Sequence, residues 1–192
     1  MQKNKIRFGI DIDGTVTCPT ALVPYLQKSF NPDFKYEDIT AYELTTVLGI
    51  SNDEVAQWFK KNERALYKDS PVHKDADLIL RQWSEEFELF FISARHTLLT
   101  DITYDWFDRH NIPYHHIELT GSHNKIEAAR NLKVDAFFED KLDNALDIQQ
   151  ALDIPVYLFD TPYNQAELPE DVFRVHSWIE TNRLIKQHFN TK

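Results

Sequence analysis

The chain of 192 residues holds a single cysteine, Cys18, and only four glycines. One cysteine excludes an internal disulfide framework and a cysteine-based zinc site. No basic neighbour activates it, so Cys18 reads as a small buried residue. No apolar stretch approaches the roughly 20 residues that span a bilayer. Met1–Lys5 leads into the first apolar run without a signal-peptide core, so a cytoplasmic protein with no membrane partner is expected. Low-complexity segments and repeats of about 20–50 residues are also missing. Positive charge is scarce: 21 Lys+Arg face 31 Asp+Glu, a formal charge of −10. That balance argues against a nucleic-acid polymer as partner. It leaves room for a small phosphorylated ligand wherever local cations outweigh the global field. The eight histidines include no His-Glu-x-x-His helix, and His115 and His116, in a strand, point to opposite faces. His96, beside Arg95, reads as a solvated loop residue. With 42% hydrophobic and 13% aromatic residues, the chain is globular and fits one domain or a core domain with an insertion.

Against this background the segment Asp11-Ile12-Asp13-Gly14-Thr15 carries the strongest signal. It closes the run Ile6–Ile10, in which Ile6, Phe8 and Ile10 alternate with Lys5, Arg7 and Gly9 as in a strand. A buried strand that ends in two carboxylates and a glycine stops hiding its side chains and starts presenting charge. If the strand continues, Asp11 and Asp13 share a side with alpha-carbons roughly 6–7 Å apart. One carboxylate can then attack while the other handles the leaving group's proton. Gly14 permits a tight turn, and Thr15 offers a hydroxyl and an amide to an anion. The plainer alternative is a solvated Asp-rich turn.

The rest of the chain alternates strands and helices. Short helical patterns occupy about Thr20–Tyr67, with Ser51 and Glu54 forming a capping box. A helix at about 75–86 precedes a strand at 88–92, a helix near 98–110 and a strand at 115–119. Then come a helix at 123–132, a strand at 134–138, a helix at 142–152 and strands at 156–159 and 172–175. Ser177–Glu180 forms a second capping box before the last helix. This alternation predicts an α/β fold, a parallel sheet with helices on both faces, and ligands beyond the carboxyl ends of the strands. The remaining polar signals fall at those ends. Ser93 and Arg95 follow one strand, and Lys125 lies in the first turn of the helix after Gly121-Ser122, where its ammonium and the free amides can meet one anion. Glu139 and Asp140 follow another strand, with Asp143 one turn on. Singly, Ser93 could be an N-cap, Lys125 a solvated residue, and Glu139-Asp140 a helix-start pair.

In this order, Asp11-x-Asp13-Gly14-Thr15, Ser93, Lys125 and Glu139-Asp140 resemble the four-motif signature of the haloacid dehalogenase superfamily of phosphotransferring hydrolases. The match to the 5'(3')-deoxyribonucleotidase family is closer. As in those enzymes, a long insertion separates the first two motifs, and Val175-His176-Ser177-Trp178 resembles their C-terminal helix start. The chain departs from the animal enzymes at Ser93-Ala94, where they carry two hydroxyl residues, and at Glu139-Asp140, where they carry two aspartates. The resemblance implies a Rossmann-like core and a Mg²⁺-dependent phosphomonoesterase acting on (deoxy)ribonucleoside monophosphates, with the Asp13 carbonyl among the metal ligands.

The residue types support that chemistry on their own terms. A phosphate monoester needs a nucleophile, charge neutralisation and a proton donor. Asp11 suits the nucleophile and Asp13 the acid/base. A hard divalent ion on Asp11 and Asp140 relieves carboxylate–phosphate repulsion. Lys125 and Ser93, joined by Arg95, suit the phosphate oxygens. Glu139 and Asp143 suit the positions that orient Lys125 or metal-bound water. From Asp13 to Ser93 is 80 positions, far more than a crossover unit of roughly 30 residues needs. Residues 19–74 therefore read as a helical cap on a core of 1–18 and 75–192. Of the cap's eight aromatics, most belong in its own core and one to three face substrate, with Phe34 and Tyr42 favoured. Thr161-Pro162-Tyr163-Asn164 reads as a turn that could border the site. A phosphatase of another small metabolite such as a sugar phosphate, and a non-catalytic phosphate-binding module, stay open at this point. So does the oligomeric state, a homodimer included.

Overall fold

The computed structural model describes residues 5–122 and 124–189. Six parallel strands form one sheet: β1 (Arg7–Ile10), β2 (Glu88–Ser93), β3 (His116–Leu119), β4 (Ala136–Glu139), β5 (Val156–Phe159) and β6 (Val172–Val175). Their order is β3-β2-β1-β4-β5-β6, so the chain builds one half outward from β1, returns, and builds the other half outward from β4. The carboxyl ends of β1 and β4 thus border the crevice where the strand order reverses. Both faces of the sheet are covered, which is why Phe8, Gly9 and Ile10 are all buried and the expected alternation in β1 is lost.

Side chains divide between the faces by strand alternation. Phe8, Ile10, Leu89, Phe91, Phe138 and Tyr157 pack against α4 (Ala76–Glu86), α5 (Thr100–Arg109) and α8 (Trp178–His188). Ile92, Phe137, Val156 and Leu158 pack against α6 (Ile126–Leu132) and α7 (Leu142–Leu152). Residues between β1 and α4 add α1 (Val23–Ser29), a 3-10 turn at Tyr36–Asp38, α2 (Leu44–Leu48) and α3 (Asn52–Asp69). This helical insert has its own apolar cluster of Leu26, Phe34, Ile39, Leu44 and Trp58. An isolated antiparallel bridge between Thr17 and Val72 joins its two ends. The Ser51–Glu54 capping box closes in both directions at the start of α3.

Several boundaries differ from the sequence expectation. The helix after β3 begins at Ile126, and its expected first residue, His123, lies outside the described residues. Gly121 has φ +68°, and the Thr120 hydroxyl donates to the Ser122 carbonyl at 2.6 Å, which holds that stretch as a loop. Lys125 is therefore the residue before the helix, not part of its first turn. A 3-10 turn at Thr97–Leu99 precedes α5. At α8, Ser177 accepts from the Glu180 amide at 3.2 Å, but the Glu180 carboxylate takes the His176 amide at 2.8 Å. The expected box is closed in one direction only.

Candidate active site

β1 ends at Ile10, and the next residue stays in register: the Asp11 amide donates to the Phe138 carbonyl at 2.9 Å. That bond seats Asp11 beside the end of β4, where Glu139 closes the strand and Asp140 leaves the sheet. Asp11, Glu139 and Asp140 are all buried, and their carboxylate oxygens lie within 4.8 Å of one another. Lys125 is buried among them and donates to Asp11 and, at 2.8 Å, to Glu139. The other Glu139 oxygen accepts from the Lys141 amide at 3.2 Å and from Asn144 at 3.3 Å. Asp140 accepts from the Tyr163 hydroxyl, and its carbonyl accepts from Asn164 at 2.7 Å. Gly14 has φ +83°, and a Cβ there would strike the Asp140 carboxylate. Only glycine allows the turn after Asp11 to pass so close.

Three carboxylates and one ammonium leave an excess of buried negative charge. Burial pushes the Asp11 carboxyl up from 3.8 to about 7, Glu139 and Asp13 adding to the effect and Lys125 opposing it. Burial, together with Asp11 and Glu139, also holds Asp140 well above the ordinary carboxylate range. Lys125 is held above the ordinary lysine range: burial works against its charge, but Asp11 and Glu139 outweigh that effect. An all-oxygen set of this kind, with its charge uncompensated, fits a hard divalent cation.

Asp13 stands apart from that group. Arg95 grips its carboxylate with two bonds, Nε to Oδ2 at 2.9 Å and Nη2 to Oδ1 at 2.7 Å. Ser93 Oγ lies 3.5 Å from Asp13 Oδ2 and accepts from the Arg95 amide at 3.2 Å. A cavity of about 470 Å³, within the usual size range for small-molecule sites, opens over Asp13 and Arg95, with Ser93 buried behind them and not on its wall. Asp11, Asp13, Lys125, Glu139 and Asp140 line one end. The insert supplies Leu22, Tyr42, Leu44, Phe59 and Tyr67 among others.

Four expected site residues lie differently from the sequence reading. Phe34 is buried in the insert's own cluster and is not on the cavity wall. Asp143 is exposed. Its neighbour Asn144 reaches Glu139 instead, because α7 starts at Leu142 and each residue turns the helix by about 100°. The Arg95 guanidinium is committed to Asp13 and to Thr103, at 3.1 Å, rather than spread toward an anion. Thr15 is fully buried, its hydroxyl 3.5 Å from Asp11 and its carbonyl accepting from His73 and Trp178. Tyr42 does line the cavity, with Lys141 Nζ 4.2 Å above its ring. Asn144, Thr103 and the Tyr67 contact with Arg95 carry no local signal in the sequence. Only the turn at Thr161–Asn164 hinted at Tyr163.

Family and relatives, with the fold, make this chain a phosphoric monoester hydrolase of the haloacid dehalogenase superfamily. A haloacid dehalogenase-like hydrolase, SP0104 of Streptococcus pneumoniae, superposes with a TM-score of 0.67 at 14% identity, covering 96% of this chain and 98% of its own. A Bacillus subtilis protein described as "putative HAD-hydrolase YfnB", solved bound to magnesium, gives 0.64 at 12% identity over 98% and 100% of the two chains. The profile of the family "5' nucleotidase, deoxy (Pyrimidine), cytosolic type C protein" matches residues 4–189. The chain belongs to that family. It is 47% identical over 175 residues to "Putative nucleotidase YqfW" of Bacillus subtilis, covering 91% of each chain. Identity is 45% over 181 residues to "Putative nucleotidase BH1399" of Halalkalibacterium halodurans, covering 94% of this chain and 93% of the relative. Among the described residues, no helix is long and apolar enough to cross a membrane.

Proposed function

We propose that this chain is a Mg²⁺-dependent, cytoplasmic nucleotidase that hydrolyses (deoxy)ribonucleoside 5'-monophosphates through an aspartyl-phosphate on Asp11. The observation that carries the reading is the position of Asp11. It lies at the strand-order reversal, bonded to Lys125, at the floor of a cavity walled by aromatic and aliphatic side chains of the insert. Asp11 Oδ attacks phosphorus in line as the bond to the leaving oxygen breaks, and Asp13 gives that oxygen a proton. Asp13 then takes a proton from water, whose oxygen attacks phosphorus and releases phosphate from Asp11. In this reading the Lys125 ammonium neutralises the non-bridging oxygens and the Ser93 hydroxyl donates to one of them. Glu139 holds Lys125 in place. The carboxylates of Asp11 and Asp140 and the Asp13 carbonyl would hold Mg²⁺, which supplies charge neutralisation and orientation of the phosphoryl group. Residues 19–74 act as the cap, with Tyr42 facing the nucleoside. Similarity to relatives named as nucleotidases supports this substrate class over sugar phosphates.

The test is phosphate release from nucleoside 5'- and 3'-monophosphates beside sugar phosphates, with and without EDTA, for the parent and Asp11→Asn. The highest kcat/KM should fall on 5'-monophosphates, and EDTA or Asp11→Asn should abolish turnover. Preference for sugar phosphates, or metal-independent release, would overturn the proposal.

A further inference from the structure

The Arg95 side chain is fully buried while that of its partner Asp13 is 37% exposed. Arg95 is also fixed from every side. Its amide donates to Ser93 Oγ, its carbonyl accepts from the Gly121 amide at 3.1 Å, and Nη1 donates to the buried Thr103 hydroxyl. Thr103 in turn donates to the Leu99 carbonyl at 2.9 Å. The Tyr67 ring, from the last turns of α3, packs on the guanidinium with its centroid 4.3 Å from Cζ. Burying a guanidinium is costly unless it is paired, and Asp13 is the carboxylate that pairs it. The side-on, two-bond contact fixes the plane of the Asp13 carboxylate. Asp13 Oδ1 keeps a second lone-pair site that the cavity can use, whereas Oδ2 also faces Ser93 Oγ at 3.5 Å.

The geometry points to Arg95 as the positioning residue for Asp13, braced by Tyr67 of the insert, rather than as a ligand of the substrate phosphate. This inference rests on the reading of Asp13 as the acid that protonates the leaving oxygen. Tyr67 also lines the cavity, so the ring that touches substrate space is the ring that steadies the arginine. General acid catalysis is worth about 10²- to 10⁴-fold and is needed most when the leaving group is poor. A phosphate-binding arginine would help every substrate alike.

A leaving-group series separates the two roles. In the intact enzyme with saturating Mg²⁺, kcat/KM is measured on 2,4-dinitrophenyl, 4-nitrophenyl and phenyl phosphate for the parent, Asp13→Asn, Arg95→Lys, Arg95→Ala and Tyr67→Leu. This constant reports steps up to formation of the phosphoenzyme, so the later role of Asp13 toward water does not enter. Asp13→Asn should lose progressively more activity as the leaving group worsens. Arg95→Lys should reproduce that trend, with a loss on phenyl phosphate about tenfold or more larger than on dinitrophenyl phosphate. Tyr67→Leu should give a smaller loss of the same shape. Added guanidinium should restore Arg95→Ala toward the parent slope. Should Arg95→Ala fail to fold, the lysine and Tyr67 variants carry the same readout. A loss equal across the series in the Arg95 variants, beside a graded loss in Asp13→Asn, would overturn the inference alone. An equal loss in Asp13→Asn itself would overturn the assignment of the acid, and the inference with it.

Discussion

Replacing Asp11 by Asn should make the metal-free protein more stable at alkaline pH, although it removes the proposed nucleophile. An acid whose pKa rises on folding, here to about 7, binds its proton more tightly in the native state. Its contribution is fully present below the unfolded value near 4 and is lost as pH rises through about 7. The separation between the two values corresponds to roughly 4 kcal/mol of lost stability above pH 7. Asn keeps the shape and cannot ionise. The rise to about 7 already includes the opposing pull of Lys125, so the gain expected at pH 8 is up to about 4 kcal/mol. For a chain of this size each kcal/mol moves Tm by about 2–4 °C. The assay is thermal unfolding of parent and Asp11→Asn in EDTA at pH 5 and pH 8, read as a double difference that cancels the titrating groups remote from Asp11; Asp140, which Asp11 helps to hold above its ordinary range, titrates with it and adds to the same sign. Mg²⁺ should raise the parent Tm at pH 8 more than that of the variant, because the parent holds one more buried negative charge and one more carboxylate beside the cation. A variant less stable than the parent at pH 8, or parallel pH profiles, would refute this account of the buried charge.

Three further outcomes are expected. Gly14→Ala should cost about 1–3 kcal/mol from its left-handed φ alone and should displace Asp140; a folded variant with parent-like kcat would show that the close approach is not needed. Tyr163→Phe removes the hydroxyl on Asp140 and should raise the Mg²⁺ needed for half-maximal activity about tenfold, with less change at saturation; an unmoved Mg²⁺ titration would count against it. Phe34→Ala should lower stability by about 3–5 kcal/mol, whereas Tyr42→Ala should raise KM for nucleotides about tenfold, as for lost base stacking, while leaving stability within about 1 kcal/mol. Urea unfolding and nucleotide kinetics on the same pair would expose the opposite pattern.

What could be read from the sequence was local. A buried apolar strand followed by charge marks a strand end wherever it occurs, which is why Asp11, Ser93 and Glu139-Asp140 fall at the ends of β1, β2 and β4. Helix α7 and strand β5 carry strong short-range patterns and lie where periodicity puts them. Pairings across long separations left no such trace. Arg95 and Asp13 are 82 positions apart, and Tyr163 and Asp140 are 23 apart. Nothing in either neighbourhood names the partner. Phe34 departs from the expectation because a residue outside a regular helix need not face the site. The insert is small enough that its loops supply core side chains too. Asp143 shows how sharp the limit is, since a single residue of helix phase exchanges it for Asn144.

The same long-range contacts tie the insert to the chemistry at two separate points. Tyr67 of α3 rests on the arginine that grips Asp13. Tyr163, which donates to Asp140, packs edge-on against Tyr42 at 5.8 Å and against the insert's apolar cluster. One ring therefore braces the proposed acid/base and another braces a proposed metal ligand. Packed side chains of this kind transmit displacement because interiors are dense and resist compression. Loosening the insert's cluster, at Trp58 for example, should reach the site by two routes, through the set of the Asp13 carboxylate and through the hold on Asp140. A passive lid would change only access to the cavity. An insert whose rings touch Arg95 directly and Asp140 through Tyr163 would change the geometry of both proposed site carboxylates as well, so its aromatic richness would serve the proposed chemistry as well as its own stability.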